Sequence, residues 1–248
     1  MLELDHVSKN YEAKDKSIRV VQNLSLVAED GKFIALVGPS GCGKTTLLKM
    51  IAGLIEPTSG TILVDNKLVT GPGSDRGMIF QDFTLFPWLK VRDNIAFGLD
   101  MKKISKKDRK KTIDHYLKVT GLVDFVDFYP KDLSGGMQQK VAIARTLATN
   151  PKILLMDEPF ASLDSHTRSK MQEFLTDLWE KEKKTVVFVT HDVSEAIFLA
   201  DTVHVLSSRP TTIKKTFEIP FPRPRKHDLK HEKEFFELTS KIAKELEY

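Results

Sequence analysis

Cysteine is almost absent from this chain. Cys42 is the one thiol in 248 residues, so no disulfide can form within it, and a reducing compartment is the expected setting. No apolar run approaches the roughly 18 residues that a membrane span needs, and no secretory hydrophobic segment opens the sequence. A large charge of one sign is also lacking. The 38 basic and 34 acidic side chains leave a net charge of +4, too small to imply a nucleic-acid or membrane-surface partner by itself. No internal repeat is found. Apolar residues are 41% and charged residues 29%, the balance expected of a soluble globular chain.

What is present begins with a glycine loop. Phe33-Ile34-Ala35-Leu36-Val37 is a short apolar run of strand formers, and Gly38-Pro39-Ser40-Gly41-Cys42-Gly43-Lys44-Thr45 follows it directly. Lys44 to Ala52 then reads as a helix, with Leu47, Leu48 and Ile51 at helical spacing and Gly53 closing it. A glycine loop between a buried strand and a helix start is the context of a P-loop. Gly38, Gly41 and Gly43 are expected to supply dihedrals closed to other residues and a close approach to phosphate. Successive N–H groups would line an anion nest at the positive end of the helix dipole. Gly38, Pro39, Ser40, Gly41, Cys42, Gly43, Lys44, Thr45 and Thr46 are therefore the candidate nucleotide-binding residues. Lys44 would carry a full positive charge to the outer phosphates, and the Thr45 hydroxyl is the expected magnesium ligand. A turn without a ligand does not explain why every fixed position falls between strand and helix. Cys42 lies where a helix dipole lowers a thiol pKa, but a small loop residue with no chemical role explains it as well.

Two more apolar strands end in polar groups. Ile153-Leu154-Leu155-Met156 runs into Asp157 and Glu158, and Thr185–Thr190 runs into His191 and Asp192. With Phe33–Val37, three buried-type strands deliver polar side chains at their C-terminal ends. In a parallel α/β sheet that edge is where ligands bind. Asp157 is placed to hold magnesium, directly or through water. Glu158 points elsewhere and can polarise an attacking water; general-base help of this kind is worth about 100- to 10,000-fold. His191 can hydrogen-bond the γ-phosphate or that water. Solvated strand ends and a structural histidine are the competing readings, and the neighbouring P-loop weighs against both.

Seven features in fixed order carry a family resemblance: Tyr11, the P-loop, Gln81 after Met78-Ile79-Phe80, Leu133-Ser134-Gly135-Gly136-Met137-Gln138-Gln139, Ile153–Glu158, Ser162-Leu163-Asp164, and His191. On these the chain resembles the ATP-binding cassette (ABC) ATPases from about residue 2 to residue 210. The resemblance implies ATP and Mg2+ as ligands and ATP hydrolysis as the activity, with Lys44, Gln81, Glu158 and His191 catalytic. Tyr11 would stack on adenine, although an isolated tyrosine in a polar loop is otherwise a surface residue. Thr45, Gln81 and Asp157 would hold magnesium. Ser134, Gly135, Gly136, Gln138 and Asp164 would meet the ATP held by a second copy of the chain. Ser134 suits a helix cap, and Met137–Leu147 reads as the helix behind it, a second dipole aimed at the same phosphates.

Finer resemblance points to a branch. Gln81–Leu89, Val91–Leu99, Ser208-Arg209-Pro210 and Pro222-Arg223-Pro224-Arg225 resemble the importer ATPases for nitrate, sulfonates and taurine, a subgroup that includes members associated with thiamine-precursor pyrimidines. The implied partners are membrane permease subunits and, indirectly, an extracytoplasmic solute-binding protein. The implied location is the cytoplasmic face of a bacterial inner membrane. Lys140 and Thr146 stand where relatives often have Arg and Ala. A soluble ATPase acting on nucleic acid or ribosomes remains the alternative, as does a binding-only regulatory module. Nothing in the sequence names the transported solute.

The expected fold is α/β: a P-loop ATPase core with a mainly parallel sheet, a small N-terminal antiparallel subdomain bearing Tyr11, and an inserted helical subdomain over about 82–150. The ATPase domain would span 1–225 and an amphipathic helix 226–248. The apolar stretch from Phe83 through Leu89 would be partly core and partly a groove, around Pro87 and Trp88, for a helix of a membrane subunit. Lys102–Lys111 holds seven basic residues and one acid, and a solvated helix face explains it better than a nucleic-acid contact. Arg223 and Arg225 between prolines suggest a stiff linker.

Overall fold

Strands that are apolar along their whole length need cover on both faces, and this chain supplies it. The computed structural model describes residues 1–13, 16–102 and 104–246. It begins with two long strands, β1 (Leu2–Ala13) and β2 (Lys16–Ala28), then β3 (Phe33–Val37) and helix α1 (Lys44–Ile51). Strands β4 (Ser59–Val64), β5 (Lys67–Leu68) and β6 (Arg76–Ile79) follow. Three helices come next: α2 (Val91–Met101), α3 (Lys106–Thr120) and α4 (Gly135–Ala148). The chain then alternates through β7 (Ile153–Asp157), α5 (Ser165–Glu182), β8 (Thr185–Thr190) and α6 (Val193–Leu199). It ends with β9 (Thr202–Leu206), β10 (Ile213–Glu218) and α7 (Lys233–Leu246).

One sheet is antiparallel, in the order β2-β1-β4-β5; the other runs β10-β9-β3-β8-β7-β6, parallel except for the β10 edge. Along β3 the pleat sends Phe33, Ala35 and Val37 into one apolar core and Ile34 and Leu36 into another. The second core also holds Leu47, Leu48 and Ile51 of α1, sandwiched between the two sheets. The P-loop helix is thus fixed by burial, far beyond what eight residues of helix propensity could supply. None of the helices described is long and apolar enough to cross a membrane.

The inserted region is helical as expected. Its apolar stretch divides: Phe83 and Leu85 pack on the core, while Trp88 is 70% exposed. The loop between them is held by buried Asn94, whose side chain accepts from the Phe86 amide at 2.9 Å and donates to the Leu89 carbonyl at 3.0 Å. Of the basic run, Lys103 lies outside the described residues. Ser105 caps α3, Arg109 is bound to Asp100 at 2.6 Å, and Lys106, Lys107, Lys110 and Lys111 are exposed on the helix.

Three sequence expectations need correction. Tyr11 is not in a loop; it pairs with Ile18 within the β1–β2 ladder. The chain after residue 225 is not one helix: a 3-10 turn over His227–His231 precedes α7, and residues 247–248 lie outside the described part. Phe235 and Ile242 are buried in the main core, but Phe236 is 69% exposed. Arg223 and Arg225 are not a linker. Arg223 lies over Trp179 at 4.0 Å and pairs with Asp201, and Arg225 is buried under the end of α6.

His204 on β9 gives the fold a pH dependence. Burial lowers its pKa to about 4; Nδ1 lies 2.9 Å from the Thr216 hydroxyl. Between pH 6.5 and about 4 the unfolded chain binds this proton and the folded chain does not, so stability rises with pH across that window. Acidification from pH 7 to 4 is expected to cost on the order of 3 kcal/mol from this residue. Urea unfolding of wild type and His204→Gln at both pH values measures it. An equal pH slope in the two proteins would refute the assignment.

Candidate functional site

Gly41 and Gly43 adopt φ of 73° and 126°, which side-chain-bearing residues rarely reach. Gly38 is different from expectation. Its φ is not left-handed, but a Cβ there would lie 3.0 Å from Cys42 Sγ and 3.1 Å from Leu206 Cβ, so a side chain would be crowded. The Cys42 thiol is buried against this contact and presents no open nucleophile. Lys44 is 5% exposed, and its Nζ donates to the Gly38 and Pro39 carbonyls at 2.9 and 3.1 Å. Ser40 and Thr45 are exposed at the loop, and Thr46 is half-buried beside them.

An open groove of about 460 Å3 runs from this loop to the antiparallel sheet. Its walls are Tyr11, Ile18 and Val20 from the antiparallel sheet, Gly41, Gly43, Lys44, Thr45 and Thr46 from the loop and α1, and Glu158 and Arg209. Tyr11 is 40% exposed, with Lys9 Nζ 5.2 Å from its ring centroid. The aromatic expected to meet a base and the loop expected to meet phosphate therefore share one groove.

The start of α1 and the end of β7 meet beside this groove. Thr45 Oγ1 donates to Asp157 Oδ1 at 3.1 Å. Burial raises the Asp157 pKa, and the Thr45 hydrogen bond opposes that shift. A hydroxyl oxygen and a carboxylate oxygen side by side are the hard donors that magnesium prefers, so these residues fit the ion.

Glu158 sits in the left-handed region at φ 44°, held by its amide donating to the Val189 carbonyl at 2.9 Å. This turn separates its side chain from that of Asp157. One Glu158 oxygen is 2.8 Å from His191 Nδ1, and the other is 3.8 Å from Lys44 Nζ. A small cavity of about 40 Å3 lies behind the pair, walled in part by Arg168, Thr190 and Glu195. Buried Glu195, its pKa raised by burial, accepts from Thr190 Oγ1 at 2.6 Å and from Gln172 Nε2 at 2.9 Å. Lys230 Nζ in turn donates to Gln172 Oε1 at 2.6 Å. Sequence reasoning missed these supports. Asp192 and Glu195 do stand at helix-capping spacing, and Asp192 accepts from the Glu195 amide at 3.1 Å. Nothing in the sequence marks Lys230.

Gln81 is exposed two residues beyond β6. The segment after it is tied to α4 by Arg145, which donates to the Thr84 carbonyl at 2.8 Å. At the start of α4, Ser134 accepts from the Met137 amide at 3.4 Å, and Gln138 Nε2 donates to the Leu133 carbonyl at 3.1 Å. A Cβ on Gly136 would come within 2.7 Å of Thr167 Cγ2, and one on Gly135 within 3.2 Å of Leu163 Cδ2. The glycine pair thus lets α4 touch the turn bearing Asp164. Asp164 caps α5 by accepting from the Thr167 amide at 2.9 Å, and hydrogen bonds from Thr167 hold its carboxyl below the usual range. Ser134, Gly135, Gly136, Gln138 and Asp164 form one cluster, and none of them lines the groove of the same chain.

Comparison with known proteins identifies the family. Residues 21–161 match the family described as ABC transporter. The chain is 48% identical over 248 residues to a nitrate import ATP-binding protein of Synechocystis sp., covering 98% of this chain and 93% of the relative. It is 42% identical over 245 residues to an aliphatic sulfonates import ATP-binding protein of Bacillus cereus, covering 99% and 95%. Among solved structures, a dimeric post-hydrolysis ATP-binding cassette bound to ADP and Pi superposes with a TM-score of 0.77 at 34% identity, covering 90% of this chain and 100% of that one.

Proposed function

From the premise that this chain belongs to the ABC transporter family, as an ATP-binding member that hydrolyses ATP with Mg2+, we propose that it energises an importer of small anions such as nitrate or sulfonates. The observation that carries the reading is the sheet edge at which the Thr45–Asp157 pair and the Glu158–His191 pair open on the groove of Tyr11. Tyr11 packs on adenine, and the loop amides with Lys44 take the phosphates. Thr45, Asp157 and Gln81 hold magnesium, which supplies positive charge to the phosphates when bound. Glu158 orients and polarises the water, and His191 steadies Glu158 and reaches the γ-phosphate. A second copy brings Ser134, Gly135, Gly136, Gln138 and Asp164 against that nucleotide. Their clustering outside their own groove supports this arrangement, as does the dimeric relative.

The chain works at the cytoplasmic face of a membrane, docked on permease subunits. Phe86, Trp88 and Phe97 form the contact: the tilted Phe86 ring has its centroid 5.7 Å from that of Trp88 in the same loop, which Asn94 holds, and 4.3 Å from that of Phe97 on α2. Arg145 ties the same loop to α4, giving movement at the dock a path to Ser134. Trp88→Ala is expected to abolish coupled uptake while the isolated chain keeps its fold and ATPase activity. An unfolded variant, or undiminished uptake in reconstituted vesicles, would remove Trp88 from the dock.

Purification of the tagged chain from solubilised native membranes tests the function. Multi-span subunits should co-purify. ATPase activity of that complex should rise with a solute-binding protein loaded with nitrate or an alkanesulfonate. Stimulation by a pyrimidine thiamine precursor alone would move the substrate class, and recovery of ribosomes or DNA-bound proteins would overturn the transport reading.

A further inference from the structure

We propose that Arg209, on the turn between β9 and β10, is a nucleotide-binding residue of this site. It fixes the P-loop through Gly41 and offers its remaining donors to the phosphate chain. Arg209 Nη2 donates to the Gly41 carbonyl at 2.7 Å, and Arg209 lines the same groove as Tyr11 and the loop. The same turn holds the next carbonyl: the buried Thr211 hydroxyl donates to that of Cys42. In a trans peptide the N–H points opposite to the C=O. The Cys42 amide accordingly turns from the Gly41 carbonyl and donates to the Pro39 carbonyl at 3.3 Å, so Arg209 braces a loop that is closed on itself. Thr211 is itself tied to β2, its amide donating to the Val20 carbonyl at 2.8 Å. The turn thus braces the loop against the sheet that bears Tyr11. One bond to Gly41 leaves most of a guanidinium's five donors available, in a planar fork suited to phosphate oxygens.

The inference rests on the groove binding nucleotide, and calorimetric titration of the full chain with MgADP separates the two. Wild type should bind. Arg209→Ala should bind about tenfold more weakly, with a shallower salt dependence, and Arg209→Lys should recover part of the loss. In steady-state hydrolysis, KM for ATP should change more than kcat. Because Arg209 is exposed, the Arg209→Ala melting temperature should match wild type; should that variant fail to fold, Arg209→Gln takes its place. Wild-type binding with an unchanged Arg209→Ala affinity, an unaltered salt dependence, or a loss in kcat alone would overturn the role of Arg209. Failure of wild type to bind MgADP would overturn the nucleotide groove itself.

Discussion

Glu158→Gln is expected to lower ATP hydrolysis by about 100- to 10,000-fold while leaving ATP binding intact. The amide is nearly isosteric, so the left-handed turn at φ 44° and the Val189 bond to its backbone survive. What is lost is the carboxylate that faces His191 at 2.8 Å and Lys44 at 3.8 Å, the one group here placed to polarise a water beside the loop. Asp157 cannot take over, because it is buried and turned toward Thr45. The variant should also accumulate as an ATP-stabilised dimer, since closure no longer leads to hydrolysis. Steady-state phosphate release and light scattering with MgATP test both parts. Hydrolysis at the wild-type rate would remove Glu158 as the base, and a variant that stays monomeric in ATP would count against the paired site.

Arg225→Met should be the most damaging change outside the site. Arg225 is 5% exposed, and burial lowers its pKa to about 10, so it is charged at neutral pH in a dry setting. Five hydrogen bonds offset that cost. Nη1 donates to the carbonyls of Ile197, Phe198 and Ala200 at 2.8, 3.2 and 2.6 Å, while Nε and Nη2 share the Phe221 carbonyl. Those at the end of α6 are carbonyls that a helix leaves without partners. Methionine fills the volume but donates nothing, and each orphaned buried carbonyl costs about 1–3 kcal/mol. Four such carbonyls sum to about 4–12 kcal/mol, and removal of the buried charge's desolvation cost offsets part of it, so the net loss is expected near about 4 kcal/mol, or roughly 10 °C in melting temperature for a chain of this size. Calorimetry decides it, and a melting temperature within about 2 °C of wild type would show that water replaces the guanidinium.

Much of the site was legible because it is local. The P-loop carries strand, glycines, lysine and helix in one contiguous run, and Asp157, Glu158 and His191 each follow an apolar strand that announces itself. The helix behind Ser134 was equally readable, since a cap and a periodic run need only neighbours in sequence. Gly38 shows where that reading stops: a Cβ there would crowd Cys42 Sγ at 3.0 Å and, 168 positions away, Leu206 Cβ at 3.1 Å, while its φ lies outside the left-handed region. Arg223 and Arg225 were misread for the same reason. Arginines between prolines look like a linker until the end of α6 and Trp179 are placed beside them.

The sequence by itself therefore determined the strand–loop–helix unit, the mainly parallel sheet and the identity of the groups at its edge, because period, capping and motif spacing act over a few residues. Tertiary structure decided which distant groups meet. It brought Tyr11 on β1 to the loop that follows β3, Arg209 and Thr211 to the P-loop carbonyls, and Lys230 to the network behind His191. These contacts depend on the packing of α1 between two sheets and on chain crossings of tens to hundreds of residues. No short-range periodicity encodes such encounters, since each is set by the burial of apolar faces that carry the polar groups along with them.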